Sequence, residues 1–190
     1  EYVVFDDVRS RPWECVRGMD QSFGFNRASR PEDFLSPDEL LDMAADITAK
    51  GGNLLLNVGP RGEDASIPDE QVALLEHLAG WSGSGGPGHA MFGSRPWVRP
   101  AAQARGADGS SSPIRFWATD RHVDVAVLGA VGAGDDLFVP GLATTPTTTV
   151  HDVGSASALE WSSERGGLRV RVASAVDHPV LRCRDVDAVG

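Results

Sequence analysis

Hydrophobic positions fall into two regimes along the chain. Over residues 1 to about 96, short apolar runs alternate with stretches of helical period, the sequence form of β/α units. Ser36-Pro37-Asp38-Glu39 predicts a helix start: serine caps free amides, proline takes the first helical position, and Glu39 closes a capping box. Leu40, Leu41, Ala44, Ala45 and Ile47 recur at helical spacing, which predicts one buried face, and Gly51-Gly52 end the helix. The run Leu54-Leu55-Leu56 predicts a parallel strand buried on both faces, closed off by Gly59-Pro60. After a polar loop, Pro68-Asp69-Glu70 opens a second helix with Val72, Leu74, Leu75, Leu78 and Ala79 on its apolar face. The glycine-rich stretch from Ser82 to Gly88 reads as a flexible connection. From about 97 the pattern changes to β-prone runs at 114–117, 123–127, 168–172 and 179–182. Their alternation predicts an antiparallel sandwich with one wet face, and the threonine-rich patch 144–149 reads as a joint between loop and strand.

Composition narrows the partners. A content of 41% hydrophobic and 23% charged residues is that of an ordinary globular protein, and a net charge of −10 argues against a phosphate-gripping or anionic-membrane surface. A neutral or polar partner such as a sugar fits better. No stretch approaches the roughly 18 apolar residues of a membrane span. Nothing in the sequence chooses between a secreted and a cytoplasmic setting. Cys15 and Cys183 have neither the spacing of a metal site nor the number of a disulfide framework, and read as unpaired thiols. No metal or cofactor is implied. His77, His89, His122, His151 and His178 read as surface or loop histidines, and Lys50, Asn53 and Asn57 as scaffold, Asn57 being placed to orient a neighbouring loop.

Five motifs, in order, carry a resemblance: Trp13-Glu14-Cys15, Ser22-Phe23-Gly24-Phe25-Asn26, Lys50 to Pro60, Ile67-Pro68, and Met91 to Trp97. Together they resemble the C-terminal part of a family GH29 α-L-fucosidase. The resemblance implies an α/β plus all-β chain. Residues 1–96 would be the last units of a (β/α)8-type catalytic barrel and 97–190 a C-terminal β-sandwich domain. It further implies a retaining glycoside hydrolase that releases terminal α-L-fucose from a fucosylated oligosaccharide or glycoconjugate. Such an enzyme needs a nucleophilic carboxylate and a carboxylic acid/base roughly 5–5.5 Å apart. The family's nucleophile lies in an upstream Trp-Asn-Asp type motif that this sequence does not contain. Position 1 is Glu and not Met, so the sequence is expected to start inside a longer polypeptide.

For the acid/base, Glu1 is preferred because Glu1-Tyr2 resembles the family's Glu-Tyr pair, and Glu14 of the Trp-Glu motif is the alternative. Phe23 matches an aromatic position in the wall around the fucose, where a ring suits the sugar's methyl group and C–H faces. Gly24 beside it is expected to allow a sharp turn, and Trp13, counted with Phe23 as substrate-binding, to pack behind the wall. Two or three barrel units alone leave open edges, so the chain is expected to act only with an N-terminal portion of the same barrel. Whether copies of the chain also associate stays open. The competing reading is a noncatalytic carbohydrate-binding or scaffold fragment, which exposed aromatic platforms would favour. Trp97, Phe116, Trp117, Phe138 and Trp161 are the few candidates in the second half.

Overall fold

The computed structural model describes residues 5–189, so Glu1 lies outside the described residues. Strand β1 (Trp13–Gly18) pairs in parallel with β2 (Gly52–Asn57), Trp13 standing opposite Gly52 and Gly18 opposite Asn57. Helix α1 (Pro37–Ala49) connects them, and α2 (Asp69–Ser82) follows β2. The capping box forms as the sequence predicts: the Glu39 amide donates to Ser36 Oγ at 3.2 Å, and the Ser36 amide donates to Glu39 Oε2 at 2.8 Å. The Ser36 amide and hydroxyl, both donating to Glu39 Oε2, hold the Glu39 carboxyl below its ordinary range.

Alternation along the strands gives the pair two unlike faces. Leu54 and Leu56 turn toward the helices with Cys15, and Leu56 packs against the Met19, Leu40 and Leu74 cluster. Asn53, Leu55 and Asn57, with Glu14 and Val16 beside them, form the other face. That face is open, with Leu55 43% exposed and Glu14 and Asn53 exposed too. The strand expected to be buried on both faces is buried on one, because the two-stranded sheet has helices on one side and nothing among the described residues packs over the other.

The remaining strands are β3 (Arg95–Gly106), β4 (Ser111–Ala118), β5 (His122–Val127), β6 (Ala130–Val131), β7 (Asp136–Pro140), β8 (Leu142–Asp152), β9 (Trp161–Glu164), β10 (Gly167–Arg171), β11 (Val176–Asp177) and β12 (Val180–Ala188). Eight of them form one antiparallel sheet in the order β8-β12-β5-β4-β3-β7-β10-β9, and β6 pairs with β11. The sheet curls until its edges meet, where Thr144 Oγ1 of β8 donates to Ser163 Oγ of β9 at 2.8 Å. The antiparallel β-rich half is therefore as expected, but its described strands make one nearly closed sheet where two stacked sheets were expected. Ile114, Phe116, Val123, Val125, Val139, Leu168 and Val170 fill its interior.

The outer face of the central strands is also dry. Trp117, Ala126, Leu128 and Val180 pack against Leu41, Ala45, Ala49 and Trp81 of the two helices. Phe116 and Trp117 consequently point to opposite sides and are both fully buried. Helix α1 is buried on two sides, facing β2 with Leu40 and the large sheet with Leu41. Asp46 joins the layers, accepting from Lys50 Nζ at 2.7 Å and from Arg115 Nε of β4, which gives Lys50 a structural place. Trp81 and Trp117 each fix a polar tip, Trp81 Nε1 donating to His178 O at 3.0 Å and Trp117 Nε1 to Thr48 Oγ1 at 3.1 Å. Burying one such ring contributes about 4–6 kcal/mol of gross transfer free energy.

Three further expectations change. The glycine-rich connection is a tight turn: a Cβ at Gly86 would lie 2.1 Å from Trp81 O, and one at Gly88 2.3 Å from the Trp81 ring. Glycine serves close packing there, and flexibility is not its purpose. Thr144 to Thr149 lie inside β8, and Thr145 and Thr148 donate through Oγ1 to Asp185 O at 3.1 and 2.6 Å where β12 bulges. His178 is buried, its Nε2 3.1 Å from Asp42 Oδ1 and its Nδ1 3.1 Å from Asp177 Oδ1. His122 is largely covered beside Asp124. Both histidines bind elements together and were expected at the surface. Cys15 and Cys183 are free and buried, and desolvation pushes the Cys183 thiol up to about 12. Among the described residues no helix is long and apolar enough to cross a membrane.

Candidate active site

The C-terminal ends of β1 and β2 carry the site. Beyond Gly18 the chain forms a loop over 19–30 whose exposed tip bears Phe23, 45% exposed. Asp20, Asn26, Asn57 and Gly59 help to hold this loop. Buried Asp20 spans it, its Oδ1 accepting from the Ser22 amide at 2.7 Å and its Oδ2 from Ser29 Oγ at 2.6 Å. Asn26 Nδ2 donates to Ser22 Oγ at 3.0 Å. Asn57, the last residue of β2, donates through Nδ2 to Phe23 O. Gly59 completes the set: a Cβ there would stand 2.6 Å from the Phe25 amide nitrogen, and its own N–H donates to buried Gln71 Oε1 at 2.8 Å. The close backbone approach is thus made at Gly59. Gly24 was expected to allow a sharp turn, but its φ is not in the left-handed region and a Cβ there would meet nothing within 4 Å, so neither its backbone angle nor space requires glycine.

Trp13 and Glu14 stand elsewhere. They open β1, and Glu14 lies four residues before Gly18, which at about 3.3 Å per residue puts it on the order of 13 Å from the strand end that carries the Phe23 loop. Glu14 points to the open face beside Asn53. Trp13 points the opposite way, toward the helices, where its ring covers the Cα of Gly52 and its Nε1 donates to Lys50 O at 3.2 Å. It clamps β1 to the end of α1 and does not back the Phe23 wall as expected. Phe5 meets the Trp13 ring edge-on at 4.9 Å.

The structure therefore brings Phe23 together with Asn57 and separates both from Trp13 and Glu14. Asp20 and Gln71 were missed in the sequence. Asp20-Gln21-Ser22 has the form of an Asx turn, and Gln71 is a polar residue set on the inward face of a helix, so both left a signal. A polar cavity of about 140 Å³ lined by Asp20, Asn26, Arg61 and Gln71 lies behind the loop. Asp38, Asp177 and His178, whose ligand atoms lie within 4.8 Å of one another, have a spacing that could hold a metal ion, but His178 already ties α1 to β11 there.

Known proteins are similar to this chain in sequence and fold. The family model of alpha-L-fucosidase matches residues 1–86. The alpha-L-fucosidase of Branchiostoma floridae is 30% identical over 88% of this chain and 36% of its own length. A crystal structure of Thermotoga maritima alpha-fucosidase in complex with a mechanism based inhibitor superposes with a TM-score of 0.78 at 31% identity, over 93% of this chain and 40% of that one. These matches support a fragment of the α-L-fucosidase family. The similarity extends past the matched model, because both comparisons run through the eight-stranded sheet as well as the β/α units. Alpha-L-fucosidase isoenzyme 1 from Paenibacillus thiaminolyticus, at 16% identity and a TM-score of 0.75, shares the fold over 98% of the chain. The chain spans about two fifths of the length of these fucosidases.

Proposed function

We propose that this chain supplies one wall and the acid/base half of the active site of a retaining α-L-fucosidase. In this reading β1, α1, β2 and α2 are the last units of a (β/α)8 barrel within residues 1–96, and residues 97–190 form the β-rich domain behind them. An N-terminal portion of the barrel brings the missing strands and the nucleophile. One observation carries the reading: Phe23 stands exposed at the C-terminal end of a parallel strand pair whose inner face is open, which is where such barrels place their sites. Its ring would receive the methyl group and C–H faces of fucose, and Asn57 sets its height through the Phe23 carbonyl.

Glu1 is the acid/base in this proposal and Glu14 is not. The two carboxyl groups of a retaining site stand roughly 5–5.5 Å apart across the scissile bond. Glu14, at the N-terminal end of β1, is too deep to reach a sugar resting on Phe23. The acid gives its proton to the leaving oxygen as the upstream carboxylate attacks the anomeric carbon. It then takes a proton from the water that hydrolyses the glycosyl-enzyme. The carbohydrate-binding alternative has less support. Phe116 and Trp117 are buried, Trp97 and Trp161 pack against the core, and Arg105 and Arg169 lie over Phe138, so the β-rich part offers none of these rings as an open platform.

The test is hydrolysis of an aryl α-L-fucoside by the chain completed with an N-terminal barrel portion. Glu1→Gln is expected to lower kcat by about 10²–10⁴-fold for a poor leaving group and far less for a good one, with Glu14→Gln within about threefold of the parent. The reverse order would make Glu14 the acid/base, and no turnover by any completed form would sink the enzyme reading.

A further inference from the structure

The helices cover only part of the outer sheet face. At its β8–β12 end, Arg182 and Arg184 lie two residues apart on one side of β12. Arg182 stands between His151 of β8 and Asp124 of β5, and Arg184 between Thr149 and His122. The face is the one that carries Trp117, which stands beside Asp124 in the same row. A cavity of about 450 Å³ opens there, lined by Thr149, His151, Asp152, Val153, Arg182 and Arg184. This is within the usual size of a small-molecule site.

The cavity lining holds two arginines and one carboxylate, and a second carboxylate, Asp124, pairs with Arg182. Arg182 is fixed by a two-pronged pair, Nε donating to Asp124 Oδ1 at 2.8 Å and Nη2 to Asp124 Oδ2 at 2.9 Å, while Nη1 has no acceptor among the described residues. Arg184 is exposed and has no ion pair among the described residues. Asp152 is the lining carboxylate, and its Oδ1 accepts the Ser155 amide at 3.0 Å within its own turn. Burial first of all holds the His122 imidazole below its ordinary range; Asp124 opposes this, and Arg182 and Arg184 push it further down. Arg184 is thus the cation of the cavity that no carboxylate pairs among the described residues, in a chain of net charge −10. We infer that this cavity is a binding site for an oxyanion of the sulfate or carboxylate type, gripped by Arg184 and by the free edge of a pre-set Arg182. Guanidinium groups match such anions in shape, and holding one rigid removes part of the ordering cost of binding. No Phe, Tyr or Trp lines the cavity, which argues against a site built for a neutral sugar. The site is independent of the fucosidase chemistry.

The probes are sodium sulfate, glucose 6-sulfate and glucose, titrated into the 190-residue chain at constant ionic strength and followed by the NMR signals of His151 and His122. Saturable shifts with sulfate are expected, weakened about tenfold or more in Arg184→Gln and by less in Arg184→Lys, which keeps the charge but loses the planar fork, with unchanged melting temperatures. Tighter binding of glucose 6-sulfate than of sulfate, with none of glucose, assigns a sugar-borne oxyanion. Equal binding of the two assigns the free ion. Identical shifts with chloride, or wild-type affinity in Arg184→Gln, would overturn the site.

Discussion

β5 and β2 are both apolar strands with helices on one side, yet Val125 is fully buried while Leu55 is 43% exposed. The difference lies in what covers the second face. β5 has Phe116, Leu168 and the rest of a curled sheet on one side and Trp117, Trp81 and the helices on the other. β2 has helices on one side and an open face on the other, bearing Asn53, Leu55 and Asn57. The large sheet closes its core within this chain. The β1–β2 pair holds half of a core, and that open half adjoins the end of the strands where Phe23 stands.

Substitutions sharpen this contrast. Phe116→Ala should destabilise the chain by about 3–5 kcal/mol in denaturant unfolding, as a large cavity in a closed core does. Leu55→Ala in the chain alone should cost less than about 1 kcal/mol, and should cost about 2–5 kcal/mol once an N-terminal barrel portion covers the strand. Equal costs at the two positions in the chain alone would break the comparison.

Asp46→Ala tests the seam between the regions. It strands Lys50 and Arg115 in a poorly hydrated junction and should cost about 3 kcal/mol, lowering the unfolding midpoint of both regions together. A change confined to one region would show that the seam does not couple them.

The smallest effect concerns acidity at the sheet. His122 is held below its ordinary value, mainly by burial, so between the folded and unfolded values the unfolded chain binds more protons. Its contribution to stability is complete above about pH 6.5 and falls away as the pH drops below that value. His122→Gln should flatten this part of the stability profile, read as melting temperature against pH. A parent profile unchanged from pH 7.5 to 5 would contradict the assignment.

Local chemistry was legible in the sequence and long-range contact was not. Ser36, Pro37 and Glu39 announce α1 because a cap is made by residues three apart. The 123–127 run announces β5, yet Asp124 within it suggested water and instead meets Arg182, 58 residues away. Glycines 86 and 88 looked like slack because the Trp81 ring that fills their space has no sequence signature. Phe23 was singled out through its motif, whereas Asp20 and Gln71 left only a turn pattern and a polar residue on an apolar helix face, and what they brace shows only once Ser29 and Gly59 are brought beside them. Trp13 was misplaced for a related reason. Strand alternation puts it on the face opposite Glu14, and its motif alone does not say which face meets the helices.

Amide hydrogen exchange tests the unequal completeness of the two regions most directly. In the chain alone, amides of 114–118 and 123–127 should be strongly protected and those of 13–18 and 52–57 should exchange much faster. Adding an N-terminal barrel portion should protect 52–57 and leave the large sheet unchanged. Equal protection of both regions in the chain alone, or no gain at 52–57 on completion, would contradict the account.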